Sequence, residues 1–498
     1  MKQPIVSLNR RRTLRALYLG AGALSLPQFL AACGGGGSGG DSATVPTPGT
    51  PSGPSAPTPL GPAGSSQLNI PTGPLARIPA LGAMNADGAA IPEVSDGGEP
   101  FRIRVVARAG AQPAISRGSV YLWHTFPDGG ATYPLDNGGW VYVSNSEVPA
   151  AGGVGALAFD PPASESDDAP IAAAYPILLG TSVNCAGGKT PWQTWLSCEE
   201  FDFSADLPIG VAGQVWETNP YGSPLEAVPK PALGRFSHEA AVVDIDNRTV
   251  YLTEDQGDGR FYRFVADASD LFTDGNGQPR LRMEAGTLQV MNIQGFENGG
   301  YPDQDSQLQQ LTPVSWVDVQ SPGSGQAAVR AGMTNPPGTV FDGGEGLWFY
   351  ELPVPLATPA GGTVPTTRLV YFSTKGDNRI WALDIDNQLV ELVFDNTQIA
   401  PDFNDVDNVT ISPWGDILVA EDGAMQRIMV VIPNVGARVL SMTGHEGSEI
   451  TGPAFSPDGS RLYFSSQRGP GAGATGSSGN GVTFELYIPP QFRGAAPG

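Results

Sequence analysis

The sequence is short of histidine and cysteine, with three of each in 498 residues. His124, His238 and His445 form no His-x-x-His pattern, which argues against a histidine-based zinc site. No Gly-x-Ser-x-Gly elbow stands between a strand and a helix pattern, so a serine hydrolase is a poor fit. A Walker loop and a dinucleotide fingerprint are also missing, and the Gly-rich runs belong to linkers. Cations are scarce: 27 Lys and Arg face 50 Asp and Glu, for a formal charge of −23. Nucleic-acid binding needs Lys and Arg to neutralise phosphates, so nucleic acid is not an expected partner. No segment carries a long helical period; residues 303–311 are expected to form at most one short helix. The 66 glycines and 47 prolines weaken helix interiors and exclude a helical bundle.

The positive charge that exists is concentrated at the start. Residues 1–32 hold Lys2, Arg10, Arg11, Arg12 and Arg15 and no acid, followed by a moderately apolar run from Ala16 to Ala32. This is the pattern of an export signal, and the run is too short and too rich in Gly and Ala for a stable membrane span. Arg10 to Arg12 resemble a twin-arginine motif, which implies export by the twin-arginine machinery. Leu30-Ala31-Ala32-Cys33 resembles a lipobox, with Cys33 as the lipidated residue. Removing the five cations takes the formal charge from −23 to −28. Such a chain gains nothing from an anionic lipid surface, so membrane attachment would come only through lipid on Cys33. Residues 33–73 are Gly, Ser, Pro and Thr with few large apolar side chains, and read as a disordered tether. The expected organisation is a signal over 1–32, a linker over 33–73 and a folded domain over 74–498, in a periplasmic or cell-surface lipoprotein.

From about Pro100, short β-branched and aromatic runs alternate with Gly, Asp, Asn and Pro turns. Strands are expected at 139–144, 248–253, 347–350, 368–373, 416–420 and 461–465. Several have a second strand within about twenty residues, such as 259–264, 379–383 and 427–431. The turns Ser412-Pro-Trp-Gly415 and Ser456-Pro-Asp-Gly459 recur ahead of a strand. Recurrence of one unit points to an all-β β-propeller of about six blades with loop insertions; a β-sandwich pair is the rival.

Acids gather where strands begin and end: Glu199-Glu200, Glu239, Glu254-Asp255, Glu345, Asp405 to Asn408, and Glu421-Asp422. A propeller would aim several into one end of its channel, where convergent carboxylates need cations between them. The alternative is solvated turn acids, the preferred reading for Asp244, Asp246, Asp384 and Asp386. His238, beside Glu239, reads either as a catalytic group or as a capping or core histidine. With Cys33 lipidated, Cys185 and Cys198 could pair as a disulfide, or one could be a thiolate ligand.

The segment Asn184-Cys-Ala-Gly-Gly-Lys-Thr-Pro-Trp-Gln-Thr-Trp-Leu-Ser-Cys-Glu-Glu200 strongly resembles the signature of the PhoX family of secreted bacterial alkaline phosphatases. Gly139 to Glu147, Gly234-Arg-Phe-Ser-His-Glu239, Gly344-Glu-Gly346, Asp407-Asn408, Glu421-Asp422-Gly423 and Gly452 to Gly459 match in order. The resemblance spans about residues 85–490. It implies a six-bladed propeller whose channel holds an iron–calcium cluster (Fe3+ and Ca2+) that hydrolyses small phosphoesters by activating a bound oxide or hydroxide. It implies Cys198 as an iron ligand, with Glu199, Glu239, Glu345, Asp407, Asn408 and Glu421 completing the metal shells. Gln193 stands where the family usually has Gly, Val183 where a basic residue is common, and Asp342-Gly343-Gly344 where an Arg is frequent. Lys189, Arg235 and Arg379 are then the candidates to hold the phosphate, and His238, Lys189 and Arg235 the expected catalytic side chains. A non-catalytic calcium-binding propeller with a cell-surface partner is the second reading. A lactonase-type hydrolase, with one calcium and no thiolate, is the third.

Overall fold

Strand-forming runs of six or seven residues, closed by tight Gly and Asn turns, fold back on themselves as antiparallel meanders. The computed structural model describes residues 66–79, 81–85, 87–93, 98–118, 120–202, 212–302, 310–319, 336–395, 403–423, 425–472 and 479–494. Among them there is no α-helix, only short 3-10 turns, and no helix long and apolar enough to cross a membrane. The expected signal, Cys33 and most of the expected short helix at 303–311 lie outside the described residues.

The first blade runs through Pro127–Pro134, Trp140–Ser146, Gly152–Phe159 and Ile171–Thr181. The second comprises Asn184–Lys189, Trp195–Glu199, Val215–Thr218 and Val228–Pro229. The third comprises His238–Asp244, Thr249–Glu254, Phe261–Ala266 and Gly286–Ile293, and the fourth Gly344–Leu356, Thr366–Thr374, Arg379–Asp384 and Leu389–Asp395. The fifth is Val406–Ile411, Ile417–Glu421, Arg427–Ile432 and Gly436–Met442, extended outward by Ala90–Pro92 and Leu81–Met84. In the last blade, Ile450–Phe455, Arg461–Ser466 and Val482–Tyr487 are completed by Arg102–Arg108 from the start of the domain, which closes the ring without a covalent bond.

The all-β propeller expected from the sequence is therefore present. Its sheets are fewer than the expected blades, because Thr312–Asp318 pairs with Gly286–Ile293 on one side and Leu389–Asp395 on the other. That strand fuses the third and fourth meanders into one nine-stranded sheet. Six apolar clusters, one at each junction around the ring, hold the meanders together. Tyr142 and Tyr463 meet between last and first blades, and Leu252 and Val215 share the cluster between second and third. Because a blade packs on both faces, strands such as Arg379–Asp384 are buried at every position.

The recurrent turns have a common construction. Gly415 and Gly459 take φ of 88° and 72°, and their N–H groups donate to the carbonyls of Ser412 and Ser456 at 3.0 and 2.8 Å. Asp244 and Asp384 accept hydrogen bonds from Asn247 and Asn387, so these acids shape turns as expected, but both are buried rather than solvated. Part of the stretch read as tether packs on the folded domain: Leu68 and Ile70 are buried, and Glu391 accepts from the N–H groups of Gln67 and Leu68 at 2.7 and 3.1 Å. Residues 66–70 therefore belong with the propeller rather than with a tether.

Candidate metal centre

Each blade begins at the channel with an innermost strand and returns with a second. Their open ends pair in the same way six times: Pro127 with Ser146, Asn184 with Glu199, His238 with Glu254, Gly344 with Thr374, Val406 with Glu421, and Ile450 with Ser466. One residue further along each strand lie Asp128 and Glu147, Cys185 and Glu200, Glu239 and Asp255, Glu345 and Lys375, Asp407 and Asp422, Thr451 and Gln467. The register of every innermost strand slips just past this residue, and such a bulge re-aims the side chain beside it.

Donor atoms of these residues form an arc. Asp128, Glu147 and Cys185 lie within 4.8 Å of one another, as do Cys185, Glu200 and Glu239, then Glu239, Glu345 and Asp407, then Asp407, Asp422 and Glu449. Shared members make the four groups continuous. The next residue of each innermost strand is small or short: Gly129, Ala186, Ala240, Gly346, Asn408 and Gly452 line a void of only about 30 Å3 beneath the arc. A Cβ on Gly129 would sit 2.4 Å from Ala186 Cα, and one on Gly346 2.3 Å from Val409 N, so the floor closes only with glycine there. Asn408 is its polar member; its Nδ2 donates to Asp407 Oδ1 at 2.7 Å and its Oδ1 accepts from Gly452 N at 2.6 Å.

The electrostatics are those of crowded, buried acids. Burial, then the neighbouring Asp407 and Asp128 charges, push the Glu239 carboxyl well above its ordinary pKa, with the Cys185 thiol a small counterweight. Burial followed by other carboxylates does the same to Asp128, Glu200 and Glu345. Burial alone would lower Lys375, but Asp407, Glu345, Asp422 and Asp255 outweigh it and hold the ammonium charged. Its Nζ lies 3.1 Å from Glu345, 3.0 Å from Asp407 and 3.2 Å from Asp422. Arg468 pairs with Asp422 at 3.3 Å and Glu449 at 3.0 Å, and the Gln467 amide donates to Asp128 at 2.6 Å and Glu147 at 2.5 Å. Both Glu239 oxygens are buried without an N–H or O–H partner. A carboxylate so placed suits a cation.

Of the residues expected at the site, the structure brings Glu239, Glu345, Asp407 and Asn408 together. It does not bring Cys198, which is fully buried among Leu196, Val215 and Phe236; the channel thiol is Cys185, and the two are not joined in a disulfide. Glu199 and Glu421 also turn away from the channel. Glu199 accepts from Ser182 N at 3.0 Å, and Glu421 takes two 2.7 Å bonds from the Arg427 guanidinium. Their successors Glu200 and Asp422 are in the arc, because neighbours on a strand face opposite ways. His238 stacks on Phe236 at 3.6 Å and is pressed to a pKa of about 3 by burial, so it is a neutral core histidine, the second of its two readings. Lys189 sits opposite Trp195, at the far end of its strand from Cys185, over the Tyr133 ring. Arg235 bonds the Ala212 carbonyl, and Arg379 is buried against Asp377 and Pro302. The cations at the arc are instead Lys375 and Arg468, which sequence reading passed over. Lys375 was findable as the basic residue at the position where other second strands end in an acid.

A sequence profile described as alkaline phosphatase PhoX matches residues 137–349 and 366–471. The chain belongs to the PhoX family. Its fold matches that of Pseudomonas fluorescens PhoX in complex with vanadate, a transition state analogue, at 16% identity and a TM-score of 0.58, covering 84% of this chain and 99% of that one. A gluconolactonase from Xanthomonas campestris aligns at 13% identity and a TM-score of 0.39, covering 83% of this chain and 98% of that one. No curated protein matches the sequence. Within the PhoX match lie all the arc residues from Cys185 to Glu345 and from Asp407 to Glu449, together with Glu147 and Arg468.

Proposed function

We propose that this protein is a metal-dependent hydrolase of small phosphoesters, acting at the mouth of the propeller channel. The observation that carries the reading is the continuous arc of donors with one thiol among carboxylates, in which neither buried Glu239 oxygen has an N–H or O–H partner. A thiolate beside carboxylates suits a transition metal such as Fe3+, and the all-oxygen groups from Glu239 to Glu449 suit Ca2+. Cys185, Glu200 and Glu239 would hold the former; Glu239, Glu345, Asp407, Asp422 and Glu449 the latter. Bound there, the cations would supply charge for the phosphate oxygens and activate an oxygen nucleophile.

The chain's own residues do the rest. Asn408 fixes the Asp407 carboxylate by hydrogen bond and ties it to the sixth blade. Gln467 orients Asp128 and Glu147 in the same way. Lys375 and Arg468 are the charged donors that can meet a phosphate oxygen, a role stronger in the transition state as negative charge grows. The small residues of the floor leave beneath the arc a void of only about 30 Å3, too small for a phosphoester. The twin-arginine-like Arg10 to Arg12 and the lipobox ending at Cys33 support export and anchoring at the periplasmic or cell surface.

The test is elemental analysis of protein exported by its native route, with p-nitrophenyl phosphate hydrolysis before and after prolonged chelation. Iron and calcium together with chelator-sensitive turnover support the proposal. Calcium without iron and no turnover would leave a non-catalytic propeller.

A further inference from the structure

The residue just beyond the second strand of each blade is, in turn, Glu147, Glu200, Asp255, Lys375, Asp422 and Gln467. Four of these are acids, and the fourth blade alone supplies a cation. Where an acid would add one negative charge, Lys375 adds one positive charge. The difference is two unit charges, which is the charge of one Ca2+.

The lysine is held where an ion would lie. Its backbone N–H donates to the Gly343 carbonyl at 2.8 Å, and its carbonyl accepts from Asn378 N at 3.2 Å. These bonds fix its backbone in the tight turn between Thr366–Thr374 and Arg379–Asp384. From there the side chain reaches carboxylates of two blades: Nζ lies 3.1 Å from Glu345, 3.0 Å from Asp407 and 3.2 Å from Asp422. Glu345 and Asp407 are buried, so charges this close need a cation beside them. An ammonium is a compact point charge with three donors, and one nitrogen among three carboxylates is the arrangement a small cation takes.

The thiol end of the arc is built differently. There the partner of Asp128 and Glu147 is Gln467, a neutral amide, and neither Glu239 oxygen has an N–H or O–H partner. The group of Glu239, Glu345 and Asp407 therefore keeps an oxygen donor pair for a metal, while the neighbouring group of Glu345, Asp407 and Asp422 already has its positive charge.

We propose that Lys375 is a built-in cation in the place of one calcium ion among Glu345, Asp407 and Asp422, so that its ammonium, and not a divalent ion, holds these three carboxylates together. The proposal rests on the reading of the arc as a metal centre and concerns how many ions it takes up: one calcium fewer than the carboxylates alone would hold. A tethered ammonium cannot dissociate, so this end of the arc stays assembled when calcium is scarce. It can still meet a phosphate oxygen, as the ion in its place would.

The experiment compares the native protein with Lys375→Gln and Lys375→Arg, each exported by the native route, chelated and then dialysed against calcium chloride. Bound calcium per chain is measured by elemental analysis, and the melting temperature is followed through a calcium titration. Lys375→Gln is expected to bind one more calcium than the native protein, and Lys375→Arg, which keeps the charge, the native number. Without calcium Lys375→Gln is expected to melt below the native protein, and saturating calcium to close that gap. An equal or smaller calcium count in Lys375→Gln would overturn the proposal. If that variant folds neither with calcium nor without it, a crystal structure of the metal-loaded native protein decides. Lys375 Nζ among the three carboxylates supports the proposal, and a calcium ion there with the lysine displaced overturns it. None of these readouts is turnover, so a protein that hydrolyses no phosphoester refutes the enzymatic reading alone, and the calcium count still decides the lysine's role.

Discussion

Glu421 and Asp422 are adjacent in the chain and belong to opposite sides of the fifth blade. Glu421 closes a buried ion pair with Arg427 at 2.7 Å, while Asp422 reaches the channel, 3.2 Å from Lys375 and 3.3 Å from Arg468. One acid holds the blade and the other builds the site.

The two are therefore separable by mutation. Glu421→Gln breaks a buried ion pair made through two 2.7 Å hydrogen bonds and is expected to cost about 3–5 kcal/mol of stability. Asp422→Asn is expected to cost less stability and to lower phosphoester turnover by tenfold or more, on the scale of roughly 10–100-fold seen when a site's supporting ligands are removed. Urea unfolding and kcat measured on both variants check this; a Glu421→Gln protein of native stability would sink the assignment.

The cysteines divide in the same manner. Cys185→Ala removes the one thiol of the arc, and loss of iron with at least a roughly 100-fold fall in kcat is expected. Cys198→Ala trims a buried cluster and is expected to cost about 1–2 kcal/mol with iron content unchanged. Metal analysis of the pair decides between them, and iron lost from Cys198→Ala alone would reverse the roles.

Lys189 supplies a pH signature remote from the channel mouth. Burial lowers its pKa from 10.5 to about 8. Between those values the unfolded chain holds a proton at Lys189 that the native protein has released, so this group's contribution to stability rises with pH from about 8 to 10.5. Lys189→Met is expected to flatten that rise and to leave turnover unchanged. Unfolding midpoints measured from pH 7.5 to 10.5 test the first point; a steeper rise in the variant would refute it.

Cation removal has a thermodynamic readout besides activity. The arc's acids are buried and repel one another, so an ion bound only by the native state stabilises it, by roughly 3 kcal/mol at a free concentration 100 times its dissociation constant. Calcium titration of the chelated protein is expected to raise its melting temperature progressively. A melting temperature indifferent to calcium would show that the oxygen-only groups hold no such ion.

Much of the fold was legible because it is local. Strand runs, Ser-Pro-x-Gly turns and the turn aspartates follow from side-chain shape and short-range hydrogen bonds, and the ordered PhoX motifs span the same blades. Glu239, Glu345 and Asp407 were also legible, since each opens an innermost strand and its strand neighbours are apolar or small, apart from His238 and Asn408. The choice within Cys185 and Cys198, Glu199 and Glu200, or Glu421 and Asp422 was not. Side chains alternate across a strand, so one step of register sends an acid to the channel or into the blade. That step is set by pairing between residues about fifteen apart and by a bulge in every innermost strand. Composition determined an acidic, turn-rich all-β chain; the tertiary structure alone decided which carboxylates and which thiol share the channel, because only the packed ring brings six separate strand ends to one axis.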